Sequence, residues 1–324
     1  MRVLMAQFGL CAAVLLSLPG VSAAQTAMPK LIKIIVPFSP GASNDAVARA
    51  IAVPLAQRLQ ATVIVENKAG AAGTIGADAV AKSPHDGSVL LLTSSTFLTA
   101  AATQARLPYD PIAAFTPVAM VGEGPLLLAV SASTPFKSPE DLLAAARAKP
   151  DALTYGTAGV GSIGHLATVL LSDAAKVKLT HVPYKGAANA AQEMGGGQID
   201  AMISNYSTLA PLMQKEGGRV RALAVTSKQP HPSFAGLPPL ATAVPGYDMD
   251  IWIGVFAPVG TPAPIVERLN REINAIAASP ELAVLLGPDG TLPSAMSPAA
   301  FAARVKDELA KWKQLAGAHK IVTE

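Results

Sequence analysis

Twice in this chain a short aliphatic run is followed by a loop of small residues and then by a helical pattern. No other feature limits the fold as strongly. The first such unit spans residues 32–49 and the second residues 153–166. Further aliphatic runs stand at 62–65, 89–92, 126–130, 179–182, 199–203 and 220–225. Between them, apolar residues recur at helical spacing: Val47, Ile51, Leu55 and Leu59; Ile265, Leu269, Ile273 and Ile276; Phe301, Val305, Leu309 and Trp312. Each set supplies one apolar stripe to lay against a sheet. Strands alternating with such helices build parallel sheets, so the fold class is α/β. Composition agrees, because 51% hydrophobic and only 15% charged residues suit strands covered on both faces. Ser297 followed by Pro298 marks the start of the last helix, whereas Pro54 predicts a kink or an early break in the first.

The N-terminus carries Arg2, an apolar run over 10–18, then Pro19, Gly20, Ser22, Ala23 and Ala24, which reads as a secretory signal over 1–24. The mature chain is expected to begin at Gln25, with cleavage after Ala23 as the alternative. The apolar run is too short to span a bilayer, and no later segment offers ~20 uninterrupted apolar residues. A soluble, exported, periplasmic protein is the expectation. Cys11, the only cysteine, falls inside the signal in a poor lipid-attachment context, so the mature chain is expected to have neither disulfides nor a thiolate metal site. Without Arg2, 24 basic residues face 22 acidic ones, a balance that argues against nucleic acid or an acidic membrane as partner. The remaining length leans toward two domains. Since no flexible linker is present, crossing strands should join them, outward over 118–130 and returning over 250–258. That division places 25–122 and 250–324 in one lobe and 123–249 in the other.

In the first unit Pro37 turns the chain, Gly41 and Ala42 keep its backbone approachable, and Ser43 or Asn44 is positioned to cap the helix. Free amides at that helix N-terminus can meet a carboxylate, or the loop is an ordinary strand-to-helix turn. Asp45 and Arg49, one turn apart, read as a local ion pair. In the second unit Gly159, Gly161 and Gly164 have the spacing of a dinucleotide fingerprint. That fingerprint needs an acidic residue ~20 positions on, and here the next strand ends in Val182-Pro183-Tyr184-Lys185-Gly186. Ser162 has Val160 where a hydrolase nucleophile elbow requires glycine. The five histidines lack metal-ligand spacing, so no metal and no cofactor is expected. His165 reads as a helix-start residue approaching a cleft, and His181 as a strand residue satisfied by the backbone. The loop ends with Ser94 and Ser95, and with Asn205 and Ser207, offer hydroxyls and an amide to a polar ligand, with helix capping the alternative for Ser95 and Ser207.

The chain resembles the substrate-binding proteins of tripartite tricarboxylate transporters, the Bug-type family, through an ordered series of fragments. These include Pro37-Phe-Ser-Pro-Gly-Ala-Ser-Asn-Asp45, Val65-Glu-Asn-Lys-Ala-Gly-Ala-Ala-Gly-Thr-Ile-Gly76, Tyr155-Gly-Thr-Ala-Gly-Val-Gly-Ser162 with His165, His181-Val-Pro-Tyr-Lys-Gly186, Gly196-Gly-Gln-Ile-Asp200 and Trp252-Ile-Gly254. The resemblance implies a type II periplasmic binding fold, two α/β lobes joined by two crossing strands with the ligand between them. It further implies a monomeric receptor, not an enzyme, that captures a small dicarboxylate, tricarboxylate or aromatic acid and delivers it to membrane permease subunits. A ligand-sensing module and an exported enzyme are the alternatives. Carried over residue by residue, the resemblance names Phe38, Ser39, Gly41, Ala42, Ser43, Ser94 and Ser95 on one lobe. On the other it names Thr157, Ala158, Gly161, Ser162, His165, Tyr184 and Asn205. Ala42, Ala69 and Ala72 depart from the family pattern, where glycine or proline is usual, and narrow the pocket edge.

Overall fold

Two mixed sheets carry the molecule. Their strands are β1 (Leu31–Val36), β2 (Thr62–Asn67), β3 (Val89–Ser94), β4 (Phe115–Pro125), β5 (Leu127–Ser131), β6 (Thr154–Thr157), β7 (Thr180–Pro183), β8 (Ala201–Ser204), β9 (Val220–Val225), β10 (Asp250–Pro258) and β11 (Leu292–Pro293). The order is β11-β4-β10-β3-β1-β2 in the first sheet and β7-β6-β8-β5-β9 in the second. The helices are α1 (Ser43–Leu59), α2 (Thr74–Ala81), α3 (Thr96–Thr103), α4 (Pro139–Ala148), α5 (Ile163–Ala175), α6 (Ala187–Gly195), α7 (Tyr206–Leu209), α8 (Leu240–Ala243), α9 (Ala263–Ala277), α10 (Pro280–Leu286) and α11 (Pro298–Ala318). This computed structural model describes residues 27–213 and 217–323; the expected signal, its cleavage site and Cys11 lie outside the described residues.

Side chains alternating along each strand divide the first sheet between two apolar layers. Ile32, Ile34, Val36, Leu90 and Leu92 pack with Val47, Ile51 and Leu55 of α1 and with Ile265, Leu269 and Ile273 of α9. On the opposite face Ile35, Leu91, Met120 and Phe256 meet Phe97 of α3 and Phe301, Val305 and Trp312 of α11. That second layer continues into the other lobe through Leu166 and Leu171 of α5 and Leu142 of α4, beneath Leu128, Val130 and Ile203. One face of each sheet thus shares a single core.

All three helical stripes face inward as the periodicity predicts, and Ser297 caps α11 by accepting from Ala300 N. Pro54 does not break α1, which runs as one helix from Ser43 to Leu59. Burial of Ile51, Leu55 and Leu59 on either side of Pro54 outweighs the one backbone bond that proline cannot donate.

The outward crossing is not one strand over 118–130: β4 stays in the first sheet, β5 in the second, and the chain passes between them at Leu126. The returning strand β10 belongs wholly to the first sheet, beside β4, with Asp250 opposite Pro125. Thr226, at the end of β9, clasps the junction. Its hydroxyl accepts from Leu126 N at 2.7 Å, its N–H donates to Leu126 O at 2.9 Å, and its carbonyl accepts from Met249 N at 3.2 Å.

Candidate functional site

Strand direction fixes where a cleft between the lobes must lie. β3 runs antiparallel to β10 with Ser94 opposite Ile253, so β3 ends at the junction with the other lobe, and β1 and β2, parallel to it, end on the same side. In the second sheet β8 runs antiparallel to β5 with Ser204 opposite Leu127, and β6 and β7 run parallel to β8. Both sheets therefore turn their C-terminal strand ends toward each other, the usual position of a ligand in open α/β sheets. Phe38, Ser39, Gly41, Ala42 and Ser43 follow β1, and Ser94 and Ser95 close β3. Across from them Thr157, Ala158, Gly161, Ser162 and His165 follow β6, Tyr184 follows β7, and Asn205 follows β8. Nearest the junction are the β3 and β8 loops; those after β1 and β6 lie farther out.

The first loop is built on Asp45. Contrary to expectation, neither Ser43 nor Asn44 caps α1: the N-cap is Ala42, which has no side-chain acceptor to offer. Asp45 instead reaches back from the first turn, its Oδ2 accepting from Gly41 N at 2.8 Å. Arg49 pairs with Asp45 at 3.0 Å, as the spacing predicts. Asn67, at the end of β2, donates to Asp45 Oδ1 at 2.9 Å and to Phe38 O at 3.1 Å, tying the loop to the neighbouring strand. Arg49 and the Gly41 amide hold the Asp45 carboxyl down at about 2, against the desolvation of its buried position. Its charge is thereby answered locally by Arg49, and the helix field remains available to an anion.

The second loop repeats the arrangement with different parts. Ser162 occupies the N-cap position of α5, yet its hydroxyl turns back to donate to Gly159 O at 2.7 Å instead of capping the helix. The first intrahelical bonds run from Ala46 N to Ala42 O in α1 and from Leu166 N to Ser162 O in α5. In both helices the preceding first-turn amides have no side-chain cap. By contrast, α4, α10 and α11 are each closed by a serine hydroxyl, from Ser138, Ser279 and Ser297. Gly161 has φ +75°, and a Cβ there would come within 2.5 Å of Thr103 Oγ1 on α3, so glycine is what lets this loop approach the opposite lobe.

Several of the named residues are already committed within the protein. Ser95 is fully buried, its Oγ accepting from Trp252 N at 2.9 Å. Ser94 donates to Thr96 Oγ1 at 3.2 Å. The Thr157 hydroxyl is shared among Gly159 O, Gly159 N and His181 Nε2. His181 is thus satisfied by a threonine side chain and not by the backbone, and it also stacks on His165. Ser39, Gly41, Ser43 and Ala158 are exposed, and Asn205 and Tyr184 half-buried. Two anchors of these loops have no signal in the sequence: Asn67, and the pairing of Ser207 with Asp289, which only the folded chain creates. There Ser207 donates from N and Oγ to the two carboxylate oxygens of Asp289, at 2.7 and 2.9 Å, linking the β8 loop to the segment before β11.

None of the described helices is long and apolar enough to cross a membrane. The sequence model of the tripartite tricarboxylate transporter family receptor matches residues 47–321. A Pseudomonas sp. strain P51 protein, described as a UPF0065 protein in the tcbD–tcbE intergenic region, is 38% identical over 87% of this chain and 84% of its own length. Among solved structures, R. palustris Rpa4515 with adipate superposes with a TM-score of 0.77 at 36% identity, covering 90% of this chain and 98% of that one. MatC from Rhodopseudomonas palustris with bound malate gives 0.74 at 31% identity, covering 88% and 98%. Both solved structures share the two-sheet architecture described above over nearly their whole length. The chain belongs to the tripartite tricarboxylate transporter receptor family, the Bug-type solute-binding proteins.

Proposed function

We propose that this protein is a periplasmic receptor that captures a small linear dicarboxylate between its lobes and delivers it, chemically unchanged, to the permease of a tripartite tricarboxylate-type transporter. The observation that carries this reading is the pair of helix N-termini, on α1 and α5, that follow strands ending on the junction side and have no side-chain caps. Each presents backbone donors and the positive end of a helix dipole, so two such ends suit a molecule with a carboxylate at each end. Adipate and malate in the related R. palustris receptors support that class. In this reading the loops 38–43 and 157–162 grip the two carboxylates, with Ser94, Tyr184 and Asn205 at the sides, while Ser95 and Thr157 hold the frame. Residues 25–122 with 250–324 form one lobe and 123–249 the other, and the monomer closes by bending near Leu126 and Thr226.

Thermal-shift and calorimetric titration of the exported protein against adipate, malate, citrate and benzoate test the ligand class. A dicarboxylate at about 100 times its Kd should add about 2.7 kcal/mol to stability and raise Tm by several degrees. Chromatography of the recovered acid should return it unaltered. Absence of a shift with every acid would overturn the carboxylate reading, and turnover would replace the receptor by an enzyme.

A further inference from the structure

Beneath the loop that follows β6 lie two imidazoles to which the carboxylate reading gives no separate task. Parallel pairing sets Tyr155 of β6 directly beside His181 of β7, so their side chains share one face of the sheet. The first turn of α5 crosses that face and lays His165 over His181. The two imidazoles are stacked with centroids 3.9 Å apart and planes within 10°, and Tyr155 flanks His181 at 4.9 Å. Each ring holds one part of the loop. His181 Nε2 lies 2.7 Å from Thr157 Oγ1, the hydroxyl that also engages Gly159, while Gly161 N–H donates to His165 Nδ1 at 3.1 Å.

We propose that His165 and His181 are positioning residues for the ligand loop 157–161, and that protonating this stacked pair loosens the loop and weakens capture of the acid. This deepens the receptor reading and rests on it. His165 can accept from Gly161 only while Nδ1 is unprotonated; a proton there sets one donor against another. Two imidazolium rings in face contact would also repel.

The surroundings favour the neutral pair. Burial is the main reason that His165 sits at about 4, with His181 and His319 pushing in the same direction, and burial likewise lowers His181. The adjoining cavity is lined by Lys176, Lys178 and Lys320. Its carboxylates offer little relief, because Asp173 is engaged with His319 at 2.8 Å and Asp151 is exposed at the rim. Tyr155 is a neutral phenol whose pKa burial raises further. Because the folded value of His165 lies below the ordinary 6.5, the loop's order is complete above that pH and declines as pH falls toward about 4.

Four variants separate the bonds from the bulk of the rings. In His165→Asn and His181→Gln an amide replaces the ring nitrogen that faces the loop, without its titration; His165→Leu and His181→Phe keep volume but remove the bond. Hydrogen exchange of loop amides 158–161 in the ligand-free protein is read at about pH 7 and about pH 4, corrected for intrinsic rates, beside calorimetry with adipate and malate at about pH 7. The amide variants should exchange and bind within about threefold of the parent, whereas the Leu and Phe variants should exchange and dissociate at least about tenfold faster. Between the two pH values, exchange in the parent should rise about tenfold and in the Asn–Gln double variant should not. Parental exchange and binding in both the Leu and Phe variants would overturn the positioning role, and an equal acid response in the double variant would overturn the proton dependence. If the parent binds neither acid, the receptor's ligand class falls, while the exchange data still decide the proposal.

Discussion

Asp45 shows how much of a ligand loop can depend on one buried carboxylate. It accepts from Gly41 N, from Asn67 and from Arg49, and its carboxyl lies at about 2 chiefly through the Arg49 bond. A value below the ordinary 3.8 means the stabilisation is full above that pH and lost as pH falls toward about 2. Asp45→Ala takes this acceptor from all three donors and should cost about 2 kcal/mol in urea unfolding at neutral pH, with the difference vanishing below about pH 2. Gly41 and Gly161 make a contrasting pair. Both have positive φ, but a Cβ at Gly41 meets open space whereas one at Gly161 meets Thr103. Gly41→Ala should therefore cost only about 1 kcal/mol of backbone strain. Gly161→Ala adds a steric clash between lobes and should lower both Tm and dicarboxylate affinity, the latter by about tenfold or more, equivalent to about 1.4 kcal/mol.

Among the elements, the strands and the long amphipathic helices were legible because burial is periodic along them. Helix ends were less so: Ser43 and Asn44 are good capping residues by type, yet Asp45 and Ser162 divert the loop hydrogen bonds elsewhere. The break expected at Pro54 is absent for a related reason, since propensity is a local quantity and α1 is held by contacts with α9 and the sheet. The crossing itself depends on Thr226. Thr226→Val removes the acceptor for the buried Leu126 N and should cost about 1–3 kcal/mol, measured by denaturant unfolding. Asp250, where β10 begins, behaves oppositely. Burial, then Glu123 and Asp248, raise its carboxyl to about 6 despite Arg304. Its folded state binds a proton more readily than the unfolded one, so stability declines as pH rises from about 4 to 6. Asp250→Asn should accordingly stabilise the protein by about 1–2 kcal/mol at neutral pH and not at about pH 4, as followed by the urea midpoint.

For the whole molecule the open question is what holds the lobes in their present relation. Ser207–Asp289 on one side and Asp173–His319 on another are polar contacts between them, and the core shared by α3, α5 and α11 continues beneath. Asp289→Ala removes two hydrogen bonds worth about 0.5–1.5 kcal/mol each, enough to shift an open–closed equilibrium severalfold. Small-angle scattering should then report a larger ligand-free radius of gyration that adipate reverses. The sequence by itself determined the α/β class, the two strand–loop–helix units and the glycines that shape their loops, because strand and helix periodicity and backbone freedom are local properties. Only the tertiary structure decided which helix ends stay uncapped, that Thr157 and Ser95 are spent on the frame, and that two histidines 16 positions apart stack as one support. Those outcomes depend on which groups distant parts of the chain bring within hydrogen-bonding reach, and strand direction, set by pairing, is what places both loops on the side where the two sheets meet.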